Sequence, residues 1–547
     1  MRYIQVLLPL RLEWEPWYST DAPVRTGDRV KVVLSRKEYI GVVLGVYDIP
    51  GISTEKIQPV LATDTGLEPI SAPELQLWRF IASYYLCTLG EVYKCAYPAV
   101  RVKNEEIELR KRERALKKGA AVQEHLTGLN YSGVPAGNYL NCSASSGTGP
   151  GDGMQLAPET GEGSSTPAKP LLLWSASRSA SYIKAARHCL DSGLSALVLV
   201  PDMNCAAALE EKLKGEFQDR LTVFNSMKTP VQRRKVEKAL RDLTDPQVIL
   251  ATRSAIFLPW RDLGLVIIDE EQDPSYKQAE PSPRYHARDI ALMLAKIHGA
   301  DTILGSSCPS LTTLLNCKAG KFALECGPLP ELRAELIDMR AERRKRGVSG
   351  DFSFKACDAV REAAGLTHPD GFGKEGAIVT IVRSPWQDEA AVASQCEKLF
   401  PGLDPQIISA YSASRSLTHS AVTLVLQADS LFPKDDFRAD ERALQALLLL
   451  AERTDRLVLQ CSSAEHPVLG VLSCGAGRQA VEERLEALLE ERRTFAMPPF
   501  SREIRVYDRR GALCEDIFLP RGSSLERAKQ DIRQKYSSDH IIDVDPQ

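Results

Sequence analysis

Gly264-Leu265-Val266-Ile267-Ile268-Asp269-Glu270-Glu271-Gln272 decides how the rest of this 547-residue chain reads. Four apolar residues, Leu265 to Ile268, run straight into three acids. A short apolar run reads as a strand buried on both faces, as in a parallel sheet. Carboxylates at the carboxyl end of such a strand stand where open α/β sheets bind ligands. In a nucleoside-triphosphatase an Asp there holds Mg²⁺ and a Glu orients the attacking water. The plainer alternative is a solvated acidic turn closing an ordinary buried strand.

Outward from this stretch, strand-like runs at Leu171–Trp174, Ala196–Val200, Val248–Ala251 and Thr302–Gly305 alternate with helical patterns. That alternation predicts a parallel sheet covered by helices over 170–330. Upstream, the runs Tyr3–Leu7, Gly27–Leu34 and Tyr39–Val46 precede a helical pattern from Leu75 to Tyr85. Residues 1–100 therefore read as a small β-barrel-like domain. Residues 101–118 mix Lys, Arg and Glu as a solvated helix would. From Thr127 to Lys169 the chain turns rich in Gly, Ser, Pro and Thr, so 101–169 reads as a charged helix and a disordered linker. The Gly147–Gly153 run has no strand before it and no Lys-Ser/Thr after it, so it is not a phosphate loop.

Composition narrows the partners. The chain is 44% hydrophobic and 26% charged with net charge −3, so a basic surface for nucleic acid must be local. No apolar run approaches the ~20 residues of a membrane span, and Arg11, Glu13 and Glu15 interrupt what would be a signal peptide's core. Thirteen cysteines include no Cys-x-x-Cys pair. That spacing argues against structural zinc and for reduced thiols in the cytoplasm.

The residues after the acidic turn, Ser275-Tyr276-Lys277-Gln278 and Arg284-Tyr285-His286-Ala287-Arg288-Asp289, closely resemble the Walker B region of the bacterial replication-restart helicase family PriA (primosomal protein N′). Gln272 stands where that family usually has His. Further matches are Leu8-Pro9-Leu10, Gly27-Asp28-Arg29-Val30, Gly41-Val42-Val43 and Tyr84 to Val92 near the start. Later ones are Thr252 to Phe257, Glu335 to Arg340, Ala428 to Arg442, Glu465 to Val468, Met497 to Arg502 and Asp543 to Pro546. The resemblance implies a multidomain α/β chain. Its parts would be a β-rich DNA-binding domain over 1–100, a RecA-like superfamily 2 helicase lobe over 170–330, a reduced second lobe over 331–465 and an α+β carboxyl-terminal domain over 466–547. Between about 375 and 425 there is room for only a strand or two and a helix. The family's eight-cysteine zinc region is missing.

For chemistry the resemblance implies ATP and Mg²⁺, with Asp269 and Glu270 as the Walker B acids and Arg453 and Arg456 as the final-motif arginines. This sequence departs where phosphate should bind. The family's Gly-Val-Thr-Gly-Ser-Gly-Lys-Thr reads Trp174-Ser175-Ala176-Ser177-Arg178-Ser179-Ala180-Ser181. A phosphate loop needs glycines and a Lys. Here Ala180 replaces the Lys, Ser177 lies in a loop without glycine, Arg178 is a displaced positive charge, and only Ser181 could ligate a metal. Glu452 and Asp455 flank the two arginines with negative charge. No cofactor is expected: neither ATP, Mg²⁺ nor zinc.

The family's DNA 3′-end pocket implies Trp17, Tyr18, Lys37 and Lys56 as DNA-binding residues, an aromatic face for a base and Lys for phosphate. Pro16-Trp17 and Ser35 depart from the family's pocket residues. The expectation is a PriA-like DNA-binding protein of replication restart, and with it repair and recombination, acting without ATPase or helicase activity. Its partners would be forked or D-loop DNA with a 3′ end, primosome proteins and single-stranded DNA-binding protein, with no membrane. The alternatives are an active 3′-to-5′ helicase and a decayed paralogue without a retained role.

Overall fold

The computed structural model describes residues 1–98, 168–365, 377–410 and 419–546, apart from 205, 226–227, 243–244, 330–332, 474, 476, 521, 523 and 537–539. The charged helix and linker expected over 101–169 lie outside the described residues, save the last two positions. The chain divides into two compact units. Among the described residues, one comprises Met1–Ala82 and 87–98; the other comprises Ser83–Leu86 and the residues from 168 onward.

The first unit is built on a five-stranded sheet of β1 (Arg2–Leu7), β2 (Trp17–Thr20), β3 (Arg29–Leu34), β4 (Lys37–Tyr47) and β5 (Gln58–Pro59), in the order β3-β4-β1-β2-β5. Its inward residues Ile4, Val6, Val30, Val32 and Val43 are fully buried, which is what the alternating pattern requires. Beyond β5 the chain reaches β3: Lys31 N–H donates to Ala62 O at 2.8 Å, and Leu61 N–H to Lys31 O at 2.8 Å. The two edge strands are thereby bridged, as the barrel-like reading expected. Helix Leu89–Ala96 starts at a capping box in which Thr88 and Glu91 satisfy each other's backbone N–H groups. Gly90 must be glycine, because a Cβ there would stand 2.0 Å from Leu10 O.

In the second unit, β6 (Leu171–Trp174), β7 (Ser195–Leu199), β8 (Leu221–Phe224), β9 (Val248–Ala251), β10 (Leu263–Asp269), β11 (Asp301–Ser306) and β12 (Ala323–Cys326) form one sheet in the order β12-β6-β11-β10-β7-β9-β8. Every pairing is parallel. β10 lies between β11 and β7, so Leu265–Ile268 are buried on both faces and Asp269 emerges at the carboxyl edge opposite Gly305. Burying such a side chain contributes about 1.5–3 kcal/mol.

A second parallel sheet follows, of β13 (Glu335–Asp338), β16 (Val379–Arg383), β17 (Gln406–Ser409), β18 (Val422–Val425) and β19 (Leu457–Cys461), ordered β13-β19-β18-β16-β17. A small hairpin, β14 (Val348–Ser349) and β15 (Phe352–Ser353), intervenes in sequence. β16, helix Glu389–Leu399 and β17 fill the stretch expected to hold a strand or two and a helix, with β18 at its end. Among the described residues this sheet has five strands where the first has seven. It keeps a closed core because β13 and β19 come from the flanking sequence; Ile337, Val379, Ile381, Leu424 and Val458 pack together in it. The chain ends in helices Pro467–Ser473, Arg478–Thr494 and Leu525–Lys535 and an antiparallel sheet ordered β21-β20-β22, from β20 (Ser501–Tyr507), β21 (Leu513–Pro520) and β22 (Ile541–Val544).

Candidate functional site

The carboxyl edge of the first parallel sheet gathers the Walker-type positions. Glu270 follows β10 with φ +48, a left-handed backbone uncommon for a residue with a Cβ, and this turn directs the acids back over the strand ends. Between them lies Arg178. Its Nε donates to Asp269 Oδ1 at 3.0 Å, Nη2 pairs with Glu270 Oε1, and Nη1 donates to Ser175 O at 2.5 Å. The guanidinium is 8% exposed, so both pairs are shielded from solvent. Burial alone would lower the Arg178 pKa, but Glu270 and Asp269 raise it well above the ordinary value.

The second layer is equally committed. Tyr182 O–H donates to Asp269 Oδ1 at 2.8 Å, and burial and then Asp269 push its pKa well up, keeping it a donor. Gln272 Nε2 donates to Glu270 Oε2 at 2.7 Å, while Ser306 O–H donates to Gln272 Oε1 at 2.6 Å. Gly305 gives this cluster its room: a Cβ there would stand 1.6 Å from the Tyr182 hydroxyl.

The residues before Arg178 do not form a phosphate loop. Ser175 N–H donates to Ser306 O and Ala176 N–H to Pro328 O, both at 3.0 Å, and Ser177 N–H donates to Ser175 Oγ at 3.1 Å. Those donors are spent within the protein. Arg178 sits at the N-cap of helix Ser179–Asp191 and supplies no side-chain cap. A cation at that end opposes the helix dipole, so the two carboxylates hold it there. Ala180 is exposed on the helix, and Ser181 takes no part in the cluster. The residues do not fit a Mg²⁺-nucleotide: 175–181 contain neither glycine nor lysine, and the acids already face a resident cation.

From the second lobe, helix Ala439–Glu452 directs Glu452 at this cluster. Burial first, then the Glu270 charge, raises its pKa to about 7, while its hydrogen bond with Ser307 acts against the rise. Its Oε1 is buried without a hydrogen-bond partner. Arg456, expected as a finger toward phosphate, turns elsewhere: Nη2 donates to Glu335 at 2.8 Å and Nη1 to Glu362 at 2.9 Å. Two acids within its own lobe outcompete the cleft. Arg453 lies at the helix C-cap, where its carbonyl accepts from Ser420 N–H at 2.9 Å. Glu271, not singled out from sequence, is fully buried and accepts from Ser310 N–H at 2.7 Å and from Arg288 and Thr313 at 2.9 Å. The run of three acids was its only signal.

In the first unit, the expected DNA residues divide by strand face. Tyr18 is 2% exposed, its O–H donates to Val33 O at 2.9 Å, and burial raises its pKa to about 12. It is a core residue with one polar end on β3, which corrects the expectation of an open stacking face. Trp17 points to the other face, half-buried, with its ring 5.0 Å from that of Tyr47 and beside Gly51. Tyr47 escaped notice because only the β1–β4 register places it there. Lys37 and Lys56 are exposed. The β3–β4 connection holds Ser35 and Arg36 with φ +49 and +64. Ser35 occupies a backbone conformation that glycine adopts more easily. Among the described residues no group of three or more His, Cys, Asp or Glu could hold a metal ion, and no helix is long and apolar enough to cross a membrane.

Residues 5–98 match the family model described as the PriA 3′DNA-binding domain (3′BD). Replication restart protein PriA of Haemophilus influenzae is 25% identical over 407 residues, covering 58% of this chain and 55% of that protein. The chain is similar in sequence to PriA proteins. PriA of Rickettsia prowazekii is 28% identical over 362 residues, covering 63% of this chain and 49% of its own length. PriA of Chlamydia pneumoniae reaches 36% over 174 residues, covering 30% and 22%. The chain thus spans about half the length of the first two PriA proteins and less of the third. Among solved structures, RecG bound to a three-way DNA junction overlays with a TM-score of 0.37 at 14% identity, covering 59% of this chain and 48% of that one. The two parallel-sheet lobes stand on their own strand orders.

Proposed function

We propose that this chain is a PriA-like DNA-binding protein of replication restart that neither binds nor hydrolyses ATP. The observation carrying the reading is the guanidinium of Arg178 between Asp269 and Glu270, where a Mg²⁺-nucleotide would need both acids free. The spent N–H groups of Ser175, Ala176 and Ser177 and the outward pairing of Arg456 support the same conclusion. DNA binding is supported by the family match over residues 5–98. The proposal includes a cytoplasmic location, no resident zinc, a role in repair and recombination, and forked or D-loop DNA with a 3′ end as ligand. Primosome proteins and single-stranded DNA-binding protein complete it as partners. Calorimetric titration with Mg-ATP, alongside ATPase assays with forked DNA, tests the nucleotide half. No heat and background turnover are expected, and micromolar binding would overturn it. Binding to a fork with a free 3′-hydroxyl against one with a blocked 3′ end tests the DNA half. A preference for the free end is expected; equal affinity would reduce the claim to general DNA binding.

A further inference from the structure

The second lobe opens with a surface that the nucleotide-site argument does not use. β13 leads into helix Met339–Lys345, whose start is capped by the Asp338 carboxylate, accepting from Arg340 N–H at 2.8 Å and Ala341 N–H at 3.2 Å. Within seven residues there follow Arg340, Arg343, Arg344, Lys345 and Arg346, all exposed. Among the described residues none of these five side chains has an ion-pair partner. The single acid in the run, Glu342, has its Oε2 buried without a hydrogen-bond partner. Some exposed cations elsewhere do find acids: Arg187 pairs with Glu216, Lys318 with Glu486 and Lys535 with Glu515. In a chain of net charge −3, five unpaired cations side by side make a local positive field. The carbonyl end of a two-turn helix favours cations in its last turn. It gives no reason for Arg340 in the first turn or Arg346 beyond the last.

An open aromatic ring adjoins this run. Gly347, at φ +93, turns the chain into the β14–β15 hairpin, which brings Phe354 back beside it. Phe354 is 43% exposed, its N–H donates to Gly347 O at 3.5 Å, and its ring edge lies 3.0 Å from where a Cβ on Gly347 would stand. Cations in a row beside an exposed ring suit single-stranded nucleic acid, which offers phosphates at regular spacing and unstacked bases. We propose that helix Met339–Lys345, Arg346 and Phe354 form a second DNA contact, binding the backbone of a single strand and stacking one base. It rests on the reading of the chain as a DNA-binding protein and adds a contact outside residues 5–98.

The test uses the full chain with a short oligothymidylate and a duplex of equal length, titrated over a range of salt. Arg343→Gln, Arg344→Gln and Lys345→Gln together should lower the slope of log affinity against log salt by about 2, at about 0.7 per single-strand contact. Phe354→Ala should weaken oligothymidylate binding about fivefold or more and leave the duplex unchanged. Thermal unfolding checks that both variants fold like the parent. An unchanged slope in the triple variant, while Trp17→Ala does weaken binding, overturns the proposal and leaves DNA binding standing. If the parent chain binds neither probe, the underlying reading fails and the proposal with it. If polyglutamate competes for the parent but not for the triple variant, and oligothymidylate affinity is the same in both, the surface serves an acidic protein and the DNA assignment is wrong.

Discussion

Two side chains decide the chemistry of the first lobe. Removing Arg178 would leave Asp269 and Glu270 facing each other without a counter-ion, and breaking a buried pair costs about 3–5 kcal/mol. Because Asp269 is 19% exposed, the lower end applies. Arg178→Ala should lower the urea midpoint accordingly, and adding Glu270→Gln should restore part of the loss; an unchanged midpoint would mean the pair is not formed. Glu452 acts through pH. Its carboxyl is held near 7 in the folded chain and near the ordinary value when unfolded. The unfolded state therefore releases the proton first, and stability falls as pH rises between those two values, by up to about 3 kcal/mol for a gap of that size. Glu452→Gln should match the parent at pH 4 and exceed it at pH 8 in denaturant titrations. Arg178 was legible in the sequence as a displaced charge. Its destination was not, since pairing with residues 91 and 92 positions away depends on where β6 and β10 end.

At the level of elements, what was legible follows burial. β6 and β9 are apolar throughout, and their limits were readable to the residue. β12 is exposed along its whole length, and β8 is only partly buried at the sheet's far edge, so neither carries the apolar signal that marks a central strand. Helix Leu89–Ala96 depends on its first turn. Thr88→Ala removes a reciprocal cap and should cost about 1 kcal/mol by thermal or urea unfolding. Gly305→Ala tests the β11 end more severely. The added methyl would displace the Tyr182 hydroxyl from Asp269, and the variant should lose more stability than Thr88→Ala; equal or smaller loss would show that Tyr182 can move aside freely.

Across the larger unit, buried charges tie segments distant in sequence. Glu441, in the second lobe, accepts from Leu311 N–H of the first at 2.9 Å through Oε1 and from Arg492 of a carboxyl-terminal helix at 2.9 Å through Oε2. Arg438 pairs with Glu503 on β20, both buried. Glu441→Ala should therefore speed amide exchange both at the start of helix Leu311–Lys318 and around Arg492. Loosening confined to its own helix Ala439–Glu452 would contradict that coupling. None of these links was legible, because each joins residues that share neither a motif nor a period. The closed clasp of Arg178, Asp269 and Glu270 has one larger consequence. On the proposed reading, in which ATP neither binds nor is hydrolysed, no chemical potential would drive the two lobes, and every step on a DNA track would obey detailed balance. A chain of that kind would drift, wait and mark a position without travelling in a preferred direction, and its residence there would not respond to the cell's energy charge.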